Sequence, residues 1–239
     1  MSQASGANPG PPGHRQDETE RRLSVSEASV LRHLAHELGQ PLSTIEAIAY
    51  YLELVIPPKQ MNALLQAQKL RAMVRQASCI VSDAVHCLQA SPASPRAVDF
   101  DPFVSGAVRE ASAGEPVWVH MDLGAEAAMA QVDAEQGKHL VATLLHFLRQ
   151  AGKADPHISV RTSTDGAVVV LELETQCEPS AREDLNCAMP EPFHPLLPAG
   201  TGLSLTCARR ITEVHGGRLE CRCDESGAIQ VRVELPEAQ

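Results

Sequence analysis

Two apolar stripes separated by a pair of prolines limit what this chain can fold into. Leu31, Leu34, Leu38, Leu42, Ile45, Ile48, Leu52 and Val55 follow one another at steps of three and four. That spacing lines one face of an α-helix. Pro57-Pro58 stops the helix, because proline has no N–H to give and its ring clashes with the preceding turn. A second stripe follows in Leu64, Ala67, Leu70, Val74, Ala77, Ile80 or Val81, Ala84 and Leu88. It predicts a helix from near Lys59 to about Gln89. Two long helices joined by a short proline turn form an antiparallel hairpin with too little core of its own. Pairing two hairpins gives a four-helix bundle, so the pattern predicts a homodimer.

The first helix is expected to start near Ser24 or Ser26, either of which suits an N-cap. Residues 1–24 hold Gly, Pro, Ser, Gln and charge with almost no large apolar side chain, and are read as a disordered tail. The hairpin then occupies 25–90, and Ser91-Pro-Ala-Ser-Pro-Arg96 lies in a linker over 91–98. Composition shifts after it, and 99–239 reads as a second domain. A helix is predicted through about Ser112, strands over Val117–Asp122 and Ala128–Val132, and a helix from an Asp133 cap to about Ala151. Strands over Ile158–Thr162 and Ala167–Glu174 flank a Thr-Asp-Gly turn. A loop rich in Pro and acids follows over about 176–199. Gly200-Thr201-Gly202 opens a last helix, which Gly216-Gly217 ends before two closing strands. This order predicts one mixed sheet with helices on a single face, an α+β two-layer sandwich.

Within the first helix the run Leu34-Ala-His-Glu-Leu-Gly-Gln-Pro-Leu-Ser-Thr-Ile45 carries chemistry. A nucleophilic imidazole needs one ring nitrogen free while the other holds the proton. Glu37 beside His36 is a candidate orienting group and general base. Gln40, one turn on and on the same face, is a candidate for positioning a water. Pro41 frees a carbonyl one turn earlier, at His36–Glu37, and costs about 3 kcal/mol inside a helix. His33 and His86 read as solvated or packing residues.

The run closely resembles the phosphoacceptor box of sensor histidine kinases, in the form His-Glu-Leu-x-Gln-Pro-Leu. In that family the His is phosphorylated from ATP and passes the phosphoryl group to an Asp on a response regulator. Residues 99–239 also resemble the family's ATP-binding domain, the Bergerat fold. That second resemblance rests on Gly200-Thr-Gly-Leu-Ser-Leu205, Arg210-Ile-x-Glu-x-His-Gly-Gly217 and the final Val-Glu-Leu-Pro236. It implies a histidine-kinase ATPase type of sandwich, with Gly200, Thr201 and Gly202 as a residual phosphate loop at a helix N-terminus.

The chain departs from the family at two places. The family pattern Asn-Leu-Leu-x-Asn-Ala falls on Thr143-Leu-Leu-His-Phe-Leu148, which puts Phe147 where the resemblance implies a metal-holding Asn. Phenylalanine offers no oxygen to a hard cation such as Mg²⁺. The Asp-x-Gly-x-Gly turn that binds adenine becomes Thr175-Gln-Cys-Glu-Pro179, losing both its acceptor and its glycines. Glu191-Pro-Phe193 looks like a remnant of the lid. ATP with Mg²⁺ is therefore not assigned as a cofactor.

Three readings follow from the resemblance. In the favoured one, His36 exchanges a phosphoryl group with a response-regulator receiver domain, and the degenerate ATP-binding domain is a platform. The others are a divergent kinase using ATP and a non-catalytic pseudokinase that regulates a partner kinase.

A net charge of −10 with no basic face argues against nucleic-acid binding. No signal peptide and no apolar run near the ~18–20 residues of a membrane span are present, so a cytoplasmic chain fed by a partner is expected. Seven Cys lie at scattered positions without a metal-binding spacing. They read as reduced thiols, and no metal site is predicted.

Overall fold

A computed structural model describes residues 13–88, 94–113, 117–152, 156–177 and 201–238. Helix α1 (Gly13–Val55) and helix α2 (Met61–Leu88) form the antiparallel hairpin. The Pro57–Gln60 turn between them is closed by Gln60 N–H donating to the Pro57 carbonyl at 2.8 Å. Ion pairs cross the hairpin at Glu53–Arg71, 3.1 Å, and Glu46–Arg75, 3.9 Å. Pro41 lies inside α1 and the helix continues through it.

One boundary differs from the expectation. Helix α1 begins at Gly13, so Ser24 and Ser26 lie inside it rather than at its cap, and the 1–24 tail is cut short. Gln16, Glu18, Glu20, Arg21 and Arg22 are strong helix formers. Propensity carries the backbone upstream of the apolar stripe. Residues 1–12 lie outside the described residues.

After the hairpin come β1 (Arg96–Asp99), α3 (Phe100–Ser112), β2 (Trp118–Leu123), β3 (Met129–Val132) and α4 (Ala134–Ala151). Then follow β4 (His157–Asp165), β5 (Val168–Gln176), α5 (Thr201–Val214), β6 (Arg218–Cys223) and β7 (Ala228–Pro236). Strands β2-β4-β5-β7-β6 form a five-stranded sheet, parallel at β2–β4 and antiparallel elsewhere. The end of the expected linker is itself a strand: β1 pairs antiparallel with β3 in a separate two-stranded sheet. The single sheet expected from the sequence is thus two. Nothing in the four residues of β1 distinguishes them from a linker until β3 supplies a partner.

The two-layer sandwich follows from strand alternation. Ile158, Val160 and Thr162 on β4, Val169, Leu171, Leu173 and Thr175 on β5, and Ile229, Val231, Val233 and Leu235 on β7 are buried at every second position. They pack against Leu140, Leu144, Phe147 and Leu148 of α4, Leu205, Ala208 and Ile211 of α5, and Val104 and Val108 of α3. Asp133 caps α4 as expected, accepting from the Glu135 and Gln136 amides. Gly216 ends α5 in the left-handed region at φ +74°, where a side chain would be strained.

Candidate functional site

His36 stands exposed on α1 with Gln40 one turn further on. The Gln40 amide nitrogen lies 3.4 Å from His36 Nε2. With the amide donating, Nε2 carries the lone pair and Nδ1 the proton. Glu37 is also exposed, but neighbouring helical residues point roughly 100° apart. Among the described residues Glu37 makes no hydrogen bond or ion pair. The structure therefore brings Gln40, rather than Glu37, to the ring. Thr44 Oγ1 donates to the Gln40 carbonyl at 3.0 Å, beside Pro41. A groove runs alongside, lined by Ala35, Gly39 and Leu42 of α1 and by Val81, Val85 and His86 of α2.

The stripe that predicted the hairpin is largely uncovered in the single chain. Leu38 and Ile48 are about half exposed, at 50% and 52%. Leu34, Ile45, Leu52 and Val55 are exposed as well. Among the described residues of the hairpin, Ala49 of α1 and Ala67 and Val74 of α2 are buried.

The residues at the family's nucleotide positions have other partners. Phe147 is fully buried in the sandwich core. Thr175 Oγ1 donates to the His157 carbonyl at 3.1 Å, on the neighbouring strand. Thr143, at the other Asn position of the pattern, donates to Asp83 Oδ1 at 3.0 Å. Gly202 is buried in the first turn of α5, and its carbonyl accepts from Thr206 Oγ1 at 2.9 Å. Gly200 and Glu191-Pro-Phe193 lie outside the described residues.

Sequence reasoning missed a buried seam between the hairpin and the sandwich. Asp83, near the end of α2, accepts from Ser204 Oγ of α5 at 2.6 Å and from Thr143 of α4. His139 Nε2 of α4 lies 3.3 Å from Asp83 Oδ1. The His86 ring stacks on His139 with centroids 3.6 Å apart. Burial holds the His86 imidazole below its ordinary range and His139 adds to this, against the Ser82 carbonyl and the Asp83 charge. Cys207 of α5 joins the cluster fully buried, and burial pushes its thiol well up, with Asp83 adding to the shift. Asp83 and Ser204 are too far apart in the chain for any spacing rule to link them. The only available signal was a polar residue, Asp83, one position before a stripe residue.

His215, inside the Arg210–Gly217 run, has a structural role. Its Nδ1 lies 2.7 Å from the Ile211 carbonyl, and Nε2 accepts the Asp133 backbone N–H at 2.9 Å. The end of α5 is thereby tied to the start of α4.

No family model matches the chain. Over 229 residues it is 24% identical to the sensor histidine kinase ZraS of Escherichia coli K12, covering 92% of this chain and 48% of that protein. Its counterpart in Escherichia coli O157:H7 is also 24% identical, with 92% and 49% covered. The chain spans about half the length of these curated relatives. Among solved structures it is similar to full-length ShkA, crystallised with AMPPNP, at a TM-score of 0.56 and 17% identity, covering 88% of this chain and 46% of that one. That likeness is one of fold. Among the described residues no helix is long and apolar enough to cross a membrane.

Proposed function

We propose that this chain, a relative of the sensor histidine kinases in sequence and fold, works in two-component signalling by carrying a phosphoryl group on His36. The donor and acceptor are the phosphorylated and free Asp of a response-regulator receiver domain. The observation that carries the reading is the exposed His36 ring, with Gln40 against Nε2, on a helical hairpin.

The transfer needs little from the protein beyond that ring. The Nε2 lone pair attacks phosphorus, the P–N bond forms, and the P–O bond to the receiver Asp breaks. The carboxylate leaves with the electron pair, and Nδ1 keeps its proton or releases it to solvent. Gln40 holds the ring before attack and gives way as phosphorus arrives. The reverse step returns the group to a receiver. A receiver is expected to dock on the hairpin beside His36. The uncovered Leu34–Val55 stripe supports pairing of two chains into a four-helix bundle.

The residues present do not fit a nucleotide with its metal. Phe147 has no oxygen, and Thr175 spends its hydroxyl on a backbone carbonyl. The first turn of α5 is packed under α2, with Ser204 bound to Asp83. These observations favour loading from a partner over loading from ATP. One feature favours the autokinase reading, the retained Gly200-Thr201-Gly202 sequence. Incubation with labelled ATP and Mg²⁺ separates the two, read beside thermal melting with and without ATP. The phosphotransfer reading predicts no label and no rise in the midpoint. Label that disappears in His36→Gln, with a midpoint that rises with ATP, establishes the kinase instead.

A further inference from the structure

The seam between the hairpin and the sandwich brings together a carboxylate, an imidazole and a thiol from three helices. The ligand atoms of Asp83, His139 and Cys207 all lie within 4.8 Å of one another. Asp83 Oδ1 and His139 Nε2 are 3.3 Å apart, about the edge of a tetrahedron with bonds of about 2.0 Å to O and N. Among the described residues Cys207 makes no hydrogen bond, although it is fully buried.

We infer that Asp83, His139 and Cys207 form a binding site for a borderline-soft divalent cation, Zn²⁺ by ligand chemistry, that clamps α2 to α4 and α5. A mixed O, N, S set suits zinc, whereas Mg²⁺ and Ca²⁺ call for oxygen alone. Surrounding residues orient the ligands as such sites require. Ser204 donates to Asp83 Oδ2 at 2.6 Å and Thr143 to Oδ1 at 3.0 Å, so the carboxylate is held from both sides while the second lone pair of Oδ1 is left for the cation. His86 stacks on the His139 ring and fixes its plane. Cys87 lies one turn beyond Asp83 on the same helical face and packs against the core, outside the three-residue ligand group, so the fourth position falls to a water or hydroxide. Binding replaces the Cys207 S–H by a metal–sulfur bond and releases that proton to solvent. The two lobes of the chain are then joined through coordination as well as packing. The site is independent of the phosphotransfer reading, because no group at His36 takes part.

The test uses the full chain, stripped with a chelator and titrated with Co²⁺ and then with Zn²⁺. One Co²⁺ per chain is expected, with a thiolate-to-cobalt charge-transfer band that Zn²⁺ displaces. Cys207→Ser should abolish the band, and Ser204→Ala should weaken affinity about 10–100-fold, as for other supporting residues. Cys177→Ser, at the separate buried Cys177–Cys223 pair, should leave the band unchanged. Circular dichroism of each variant reports folding. A wild-type chain without a stoichiometric band overturns the inference. So does a band that survives in folded Cys207→Ser or vanishes in folded Cys177→Ser.

Discussion

Asp83 on α2 accepts a hydrogen bond from Ser204 on α5 at 2.6 Å, and this contact joins the two lobes of the chain. The same carboxylate accepts from Thr143 on α4, and all three side chains are buried. Asp83→Ala strands two hydroxyls in the seam. In chelator-treated protein it should cost about 2–4 kcal/mol, the scale of buried groups left without partners. The loss should appear as a separate unfolding transition for the hairpin in urea. A single transition with unchanged midpoint would mean that the seam does not couple the lobes.

The glycines of the two signature runs respond in opposite directions. A Cβ on Gly39 meets nothing within 4 Å, so Gly39→Ala should stabilise α1 by about 0.5–1 kcal/mol. A Cβ on Gly217 would run into the Glu234 carbonyl, with Leu235 and Thr212 also close. Gly217→Ala should destabilise by about 1–3 kcal/mol, as overpacking does. Denaturant midpoints of the two variants give the comparison.

The apolar stripe of α1 predicts the behaviour of the assembly. Ile48 is 52% exposed in the single chain. If a second hairpin covers it, Ile48→Glu removes about 2 kcal/mol of burial per copy and adds a buried charge. Sedimentation should show wild type as a dimer and the variant as a monomer. Equal masses for both would put the dimer contact elsewhere.

Asp133 gives a pH dependence with a definite sign. Burial is the largest single influence and acts upward. Backbone amides of Ser94, Gln136 and Glu135, with help from His215, outweigh it and hold the carboxyl below its usual range. A folded pKa below the unfolded one contributes stability above the unfolded value, near 3.9. That contribution is lost as pH falls through the folded value. Asp133→Ala should cost about 0.5–2 kcal/mol at neutral pH, as lost N-caps do. The difference from wild type should shrink on acidification below about pH 4. A difference that is constant down to pH 2 would contradict this cap.

What could be read in advance depended on how local the cause was. The hairpin, the Asp133 cap and the Gly216 turn are each set by a few neighbouring residues, and the sequence showed them. His36 and Gln40 were paired by helical spacing alone. Glu37 was favoured for adjacency, which on a helix turns side chains apart. The start of α1 was misplaced because an apolar stripe marks the packed part of a helix and not its charged extension. The β1–β3 pair and the Asp83, His139 and Cys207 cluster needed long-range packing that no local pattern encodes. Phe147 was legible as a missing oxygen, but its place in the core appeared only with the fold.

The central claim rests on His36 as the carrier. Purified phosphorylated receiver domain, mixed with this chain without nucleotide, tests it in a single turnover. The account predicts loss of aspartyl phosphate from the receiver and gain of an acid-labile phosphoryl group on His36, absent in His36→Gln. A receiver that keeps its phosphate, or transfer that persists in the variant, would contradict it.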